Sequence, residues 1–134
     1  FRATHFEKVK WVDEKAGMNP SARAYNDSVM GARSNASTHY SQAPSLKYMS
    51  KSGQAKTVRF DGLDGKVLID RKMAVVTTDK TRNQAIRQSE ALNQNGLQGR
   101  WEVPDATQKA RASRMLDELN ISNIKVEIVH VPKS

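Results

Sequence analysis

The chain has 134 residues, and its 22 Lys+Arg against 14 Asp+Glu give a formal net charge of +8. With 37% hydrophobic and 27% charged residues it is too apolar for a disordered chain, and its length suits one domain with one core. The absence of cysteine excludes disulfides, cysteine-ligated zinc and thiol nucleophiles. No apolar run approaches the ~20 residues that a membrane helix needs.

The positive charge is concentrated in the front half of the chain. Between residues 15 and 60 Asp27 is the only acid, against the basic residues Lys15, Arg23, Arg33, Lys47, Lys51, Lys56 and Arg59. This segment predicts either a solvated basic surface or a face that binds the phosphates of a nucleic acid. The excess charge favours a polyanionic partner.

The start at Phe1 rather than Met indicates a fragment or processed piece of a longer protein. We expect one domain over 1–134, with its core at 20–131 and an N-terminal extension or helix at 1–19. Within the core, Pro20 predicts the first turn of a helix that ends near residue 30.

The segment that follows is polar and has no clear period. Residues 32–46, rich in Ser, Asn and Ala, predict a long loop, and residues 47–50 predict a short strand. Residues 57–60 alternate as a half-buried strand does, and residues 66–72 form a second strand with an apolar centre. Because 61–65 contains two Asp-Gly-type turn signals, we expect a hairpin between these two strands.

The rest of the chain predicts helices and strands in alternation. Thr78 or Asp79 caps a helix that Gly96 stops, and Asp105 with Gln108 forms a capping-box variant at the next helix. The predicted helices span 79–94 and 105–120, and the predicted strands span 99–103 and 124–131. A strand–helix–strand–helix–strand order implies right-handed crossovers and a partly parallel sheet. The predicted fold class is therefore α/β or α+β, a three-layer domain whose central mixed sheet is flanked by helices.

Three side chains on the predicted hairpin have the chemistry of phosphodiester hydrolysis. Asp70 and Lys72 are two residues apart on a strand and so point to one face, and the turn brings Asp61 near them. Two carboxylates hold a hard cation such as Mg²⁺, which lowers the pKa of a bound water, and an ammonium stabilises charge on the phosphate. An isolated Asp-x-Lys is usually a plain surface pair, so its position on an apolar strand before the helices is what favours a site.

Asp61 and Asp70-x-Lys72, in this order of elements, resemble the PD-(D/E)xK nuclease superfamily, which has the restriction-endonuclease-like fold. Residues 60–72 are more specifically similar to the toxin domains of this fold at the C-termini of contact-dependent growth inhibition proteins (the CdiA type) and other bacterial polymorphic toxins. Such domains often have Arg-Gln on the next helix and Trp on the next strand, where this chain has Arg87-Gln88 and Trp101. The resemblance covers 20–131.

The resemblance implies a role for each motif residue. Asp61 and Asp70 would be ligands of a divalent metal, most simply Mg²⁺, Lys72 the catalytic lysine and Gln88 an accessory polar group of the catalytic site. The superfamily often adds an acidic residue from its first helix. The match is poor here, with Glu14 as the first choice for a further metal ligand and Asp27 as the second.

The resemblance also implies an interbacterial toxin effector that acts in the cytoplasm of the target bacterium and belongs to a larger secreted or cell-surface protein. We expect a metal-dependent endonuclease for RNA, in particular tRNA. The expected partners are the nucleic acid, a cognate acidic immunity protein that covers the basic surface, and a host translation elongation factor that presents the tRNA. The expected nucleic-acid-binding residues are Arg33, Lys47, Lys51, Lys56, Arg59, Arg71 and Arg87, and Arg82 and Arg100 either extend this surface or are merely solvated.

Three alternatives stay open. A DNase would have the same active site, and a non-catalytic basic module that binds nucleic acid would use Asp70 and Lys72 only as a surface pair. A metal-independent RNase would centre on His39 in the basic loop.

Overall fold

The computed structural model describes residues 8–13, 33–34 and 41–131. Within these residues the chain forms two four-stranded sheets and two helices. In chain order the elements are β1 (Val9–Asp13), β2 (Arg33–Ser34), β3 (Ser41–Met49), β4 (Ala55–Arg59), β5 (Gly62–Asp64), β6 (Val67–Arg71), α1 (Asp79–Asn95), β7 (Gln98–Val103), α2 (Ala106–Glu118) and β8 (Ile124–Ile128). The architecture is mixed α+β, and neither of the helices described is long and apolar enough to cross a bilayer.

The first sheet is built around β3, and all of its pairings are antiparallel. β1 lies along one edge of β3, while β2 and β4 share the other edge and pair with opposite ends of it. Register places Val9, Leu46 and Val58 on one face, and all three are buried in the core. The opposite, outer face therefore holds the intervening residues, which include Lys10 and Lys47.

The second sheet has the strand order β5–β6–β7–β8. β5 and β6 form an antiparallel hairpin, and β6, β7 and β8 are parallel, with α1 and α2 in the two crossovers. Because right-handed crossovers that progress in one direction place their helices on one side, both described helices cover the same face. A Cβ added at Gly99 on β7 would lie 2.7 Å from Leu92 Cδ1 of α1, so any larger residue there would force the Leu92 side chain to shift.

The predicted hairpin between residues 57–60 and 66–72 is wrong. β4 pairs with β3, and β5 occupies most of the predicted turn and is the true hairpin partner of β6. The chain passes between the sheets at Phe60, whose N–H donates to Pro44 O in the first sheet, and Asp61, whose N–H donates to Ile69 O in the second. The alternation at 57–60 identifies a strand but not its partner, which explains the error.

The predicted loop over 32–46 is also corrected, because it contains β2 and more than half of β3. The polar composition of this segment is compatible with a paired strand, since Ser45 is buried and its hydroxyl donates to Lys10 O at 2.8 Å. The helix predicted from Pro20, and most of the extension predicted at 1–19, lie outside the described residues.

The two later helices and their N-caps are confirmed. Thr78 caps α1, and the Asp105 carboxylate accepts from the N–H of Gln108 at the start of α2. The Gln108 side chain accepts from Val75 N at 2.7 Å, so it anchors the loop before α1 and not its own cap. One hydrophobic cluster joins both sheets and both helices, with Leu46, Leu68, Leu92, Trp101 and Leu116 among its members.

Candidate functional site

The alternation of β6 divides its side chains between the two faces of the second sheet. Asp70 is the register partner of Trp101 on β7, and both point to the face that α1 covers. Lys72 keeps this direction beyond the end of β6, because its N–H donates to Glu102 O at 2.9 Å and continues the strand pairing. Asp70 and Lys72 therefore share one face, as their spacing predicts.

Gln88 is completely buried on α1 and connects Asp70 to Trp101. Its Nε2 donates to Asp70 Oδ2 at 2.7 Å, and its Oε1 accepts from Trp101 Nε1 at 2.7 Å. An indole N–H can only donate and an ionised carboxylate can only accept, so these two partners set the orientation of the amide. Asp70, itself only 8% exposed, is thereby held in one position by α1 and β7.

The Lys72 ammonium makes three contacts of different kinds. Its Nζ lies 3.2 Å from Asp70 Oδ2 and donates to Gln84 Oε1 at 2.7 Å. It also lies 4.6 Å from the centre of the Trp101 ring, within the range of a cation–π contact. The side chains of Lys72 and Asp70 are 12% and 11% exposed, so this ion pair is screened less than a pair on an open surface.

Asp61 forms hydrogen bonds with the same segment of β6 through both its backbone and its side chain. Its N–H donates to Ile69 O at 2.7 Å, and its Oδ2 accepts from Arg71 N at 2.7 Å. The Asp61 carboxylate therefore lies against the peptide that links Asp70 to Arg71. Asp61 and Asp70, the two carboxylates expected to hold a metal, therefore border the same peptide of β6.

The donor atoms suit an open magnesium site rather than a closed one. Within the described ranges no group of three or more His, Asp or Glu residues could enclose an ion. Asp70 Oδ2 faces Gln88 and Lys72, whereas no hydrogen bond among the described residues reaches Asp70 Oδ1. Mg²⁺ usually keeps several waters and takes one or two carboxylates together with substrate phosphates. Asp70, with Asp61 beside it, fits this donor set.

The opposite face of the second sheet holds a separate charged cluster of Arg71, Arg100 and Glu102. Arg71 Nε lies 2.6 Å from Glu102 Oε1, and Arg100 Nε lies 3.0 Å from Glu102 Oε2. Arg100 also reaches Asp64 at 3.4 Å and Glu127 at 3.7 Å. Arg71 is expected on the nucleic-acid surface, whereas its side chain is buried in the structure and paired with Glu102.

The other predicted nucleic-acid-binding residues have different positions. The side chains of Lys47, Lys51, Lys56, Arg59 and Arg87 are exposed, while nothing is described for the side chain of Arg33. Lys10 shares the outer face of the first sheet with Lys47, and its pKa is lowered from the ordinary value by a hydrogen bond with the Lys47 side chain and by repulsion between the two charges. Glu14, Asp27 and His39 lie outside the described residues.

Two residues of these clusters, Gln84 and Glu102, are not among the residues predicted from the sequence. Gln84 precedes Gln88 by four residues, so the period of a helix places both on the same side of α1. The position of Gln84 could therefore have been predicted from the sequence. Gln84 also lines a cleft of about 420 Å³ with Lys80 and Arg87, so the partner of Lys72 borders solvent-accessible space. Glu102 has no comparable signal, because its partner Arg71 is 31 residues away along the chain.

The chain matches no protein-family model, no curated protein and no solved structure in comparisons of sequence and fold.

Proposed function

We propose that the chain is a metal-dependent endonuclease with the restriction-endonuclease-like fold, and that it hydrolyses phosphodiester bonds of RNA. The observation that supports this most is the contact between Lys72 Nζ and Asp70 Oδ2 at 3.2 Å. The carboxylate of Asp61, which lies in the link between the two sheets, accepts from the N–H of Arg71, the residue between Asp70 and Lys72. Phosphodiester hydrolysis needs an anionic metal ligand and a cation near the reacting phosphate, and this segment of β6 holds both.

The residues would divide the chemistry among them. Asp70 and Asp61 would hold Mg²⁺, which when bound supplies a water of lowered pKa and neutralises phosphate charge. Lys72 would stabilise the negative charge that grows on the phosphate oxygens as the bond to the leaving oxygen breaks. Gln88 is a positioning residue for Asp70, and Gln84 is one for Lys72, since each is hydrogen-bonded to the group that it orients.

The surroundings of the pair support a site over a plain surface ion pair. Surface pairs between Asp and Lys are exposed, mobile and nearly neutral in energy. Here both side chains are about nine-tenths buried, and Gln84, Gln88 and Trp101 contact them from two other elements. Holding groups in one geometry by a surrounding shell is what catalytic positioning requires.

The biological setting follows from the resemblance of the motif to bacterial toxin domains. We propose that the chain acts as an interbacterial toxin in the cytoplasm of a target cell, with tRNA as its substrate. It would be delivered as part of a larger secreted or cell-surface protein. A cognate immunity protein would be acidic, since the net charge of +8 leaves many exposed cations to cover. A host translation elongation factor is proposed as the partner that presents the tRNA.

The test is cleavage by the purified chain of total tRNA and, separately, of plasmid DNA, each with Mg²⁺ or with EDTA. We expect tRNA to be cut only with Mg²⁺. Lys72→Met and Asp70→Asn should each slow cleavage about 10²–10³-fold, because each removes a group that acts on transition-state charge. The matched control is Lys66→Met, which removes an exposed lysine at the β5–β6 turn and should leave the rate unchanged.

Each of the other outcomes would indicate a different function for the chain. Cleavage of plasmid but not tRNA would indicate the DNase with the same site. Cleavage of tRNA that persists in EDTA would contradict the metal-dependent mechanism and favour the RNase centred on His39. Intact substrates with a folded wild-type chain would overturn the nuclease proposal and leave a nucleic-acid-binding module. Circular dichroism of each variant separates lost chemistry from lost folding.

A further inference from the structure

A second cleft is lined by residues of the loop that joins β6 to α1 and shares Val76 with the cleft at Gln84. It has a volume of about 630 Å³, and its lining includes Arg82, Arg111 and Arg114, the carboxylate of Glu118, and the apolar side chains of Val75, Val76 and Met115. Arg82 comes from the first turn of α1, and the other two arginines come from α2. We call this feature the arginine cleft.

The guanidinium groups of the arginine cleft are available to a ligand. Arg111 is exposed and makes no ion pair with any described residue. Arg114 pairs with Glu118 at 3.4 Å, and Arg82 pairs with Asp79 at 3.6 Å. In each of these two pairs the side chains are at least 36% exposed, so each pair is worth little and a stronger anion can replace the carboxylate.

The cleft is held open by contacts within the protein. Val75 is buried, and its N–H donates to Gln108 Oε1 of α2 at 2.7 Å, which joins the loop to the second helix. Arg82 Nη1 donates to Thr77 O at 3.1 Å, which joins the same loop to the first helix. A ligand would therefore meet a formed site without paying to order the loop.

The lining combines two chemistries. Guanidinium groups bind phosphate oxygens in pairs of parallel hydrogen bonds. Val76 is 56% exposed and lies between the arginine cleft and the smaller cleft at Gln84, since it lines both. An exposed apolar side chain between cationic groups suits a nucleotide, whose base is flat and partly apolar, better than a bare anion.

We propose that the arginine cleft binds the phosphodiester backbone of single-stranded RNA and leads it over Val76 toward Gln84 and Lys72. The path of the RNA toward Lys72 rests on the proposed nuclease function, whereas RNA binding in the arginine cleft does not. Most of the residues expected to bind phosphate lie between 15 and 60, and of the three arginines of this cleft only Arg82 is named as a possible extension of that surface. This cleft instead lies in the second half of the chain, where the charges are nearly balanced along the sequence.

The test measures binding of a fluorescent 12-nucleotide single-stranded RNA to the full chain in EDTA, over a series of salt concentrations. The double variant Arg111→Gln/Arg114→Gln should weaken binding about tenfold and reduce the log–log salt slope by about 1–2, since each lost phosphate contact removes about 0.7 for a single strand. Lys109→Gln, which removes an exposed charge from α2 outside the cleft, is the matched control and should bind as the wild type does.

Two results would overturn the proposal. One is a double variant with the wild-type dissociation constant and salt slope. The other is an equal loss per charge in Lys109→Gln, which would indicate general attraction to a basic helix. Because the binding is measured without metal, it can fail while the wild-type chain still cleaves tRNA, and it can succeed while no cleavage is found. The two proposals are therefore tested separately.

Discussion

The charged side chains of the two sheets differ in exposure and in their partners. The first sheet presents Lys10, Lys47 and Arg59 on its outer face, and these lysines are close enough to lower the pKa of Lys10. The second sheet places its charges in contact with charges of opposite sign, as between Arg71 and Glu102 and between Lys72 and Asp70. Both sheets have basic residues, but among the residues that the structure describes only the second sheet has buried cations paired with carboxylates.

This difference indicates what each set of charges can do. An exposed cation without a carboxylate nearby is free to attract a polyanion, and its loss costs the fold little. A buried ion pair holds its side chains in fixed positions rather than attracting a ligand, and removing one partner leaves the other charge buried and unpaired. We therefore expect substitutions in the second sheet to change stability and catalysis, and substitutions in the first sheet to change binding.

The largest effect is expected at Glu102. Glu102→Leu removes the carboxylate that contacts both Arg71 and Arg100, and breaking a buried pair on one side costs about 3–5 kcal/mol. Urea denaturation followed by circular dichroism measures this free energy of unfolding. The control is Glu127→Gln, since Glu127 is 58% exposed and 3.7 Å from Arg100, and it should cost less than about 1 kcal/mol. Similar costs for both variants would contradict the distinction between buried and exposed charges.

The next largest effect is expected at Gln88. Gln88→Leu leaves the Trp101 N–H and the Asp70 carboxylate without the partner that each has now, at about 1–3 kcal/mol for each group. The same denaturation experiment applies, with exposed Gln98→Leu on β7 as the control that should be nearly neutral. If Gln88→Leu were as stable as the wild type, the amide bridge would not hold Asp70 in place.

A smaller and different effect is expected on the outer face of the first sheet. Lys47→Gln with Arg59→Gln should leave the free energy of unfolding within about 0.5 kcal/mol of wild type. The salt slope of RNA binding should fall by about 1–2, because two phosphate contacts are lost. Lys125→Gln, which removes an exposed lysine from β8, is the control for the effect of net charge on RNA binding. A large loss of stability here would show that these side chains are structural, as in the second sheet.

The smallest effect concerns the pKa of Lys10. The folded chain lowers this pKa below 10.5, so it disfavours the charged form, and stability should rise as the pH increases from the lowered pKa to 10.5. Lys47→Gln removes the neighbouring charge and hydrogen bond and should return the pKa of Lys10 toward its ordinary value. A titration of the lysine side-chain NMR signals measures this shift. An unchanged pKa would mean that the two ammonium groups do not interact in solution.

Local signals in the sequence predicted the helical half of the fold well. Thr78 and Asp105 are capping residues, and each is at the start of a helix in the structure. The period-2 alternation of a strand also places Asp70 and Lys72 on one face. The resemblance to a nuclease family implied only that Gln88 lies near the site, and its hydrogen bond to Asp70 was not predicted.

The sequence did not predict which strands pair. Residues 41–46 have the composition of a loop, yet they form two-thirds of β3, the central strand of the first sheet, because the neighbouring strands satisfy its backbone hydrogen-bonding groups. The turn signals at 61–65 predicted a longer turn than the structure has. Gly65, in its left-handed conformation, makes a tight turn, and Gly62–Asp64 can therefore form a strand that pairs with β6.

By itself the sequence determined the local features of this protein: its excess of positive charge, the start and end of each later helix, and the shared direction of Asp70 and Lys72. These features depend on residues close together along the chain, and so composition and period contain them. Only the tertiary structure decided which charges became buried and paired and which arginines gathered at one cleft. Those outcomes depend on strands and helices that are distant in sequence and meet only when the shared core forms.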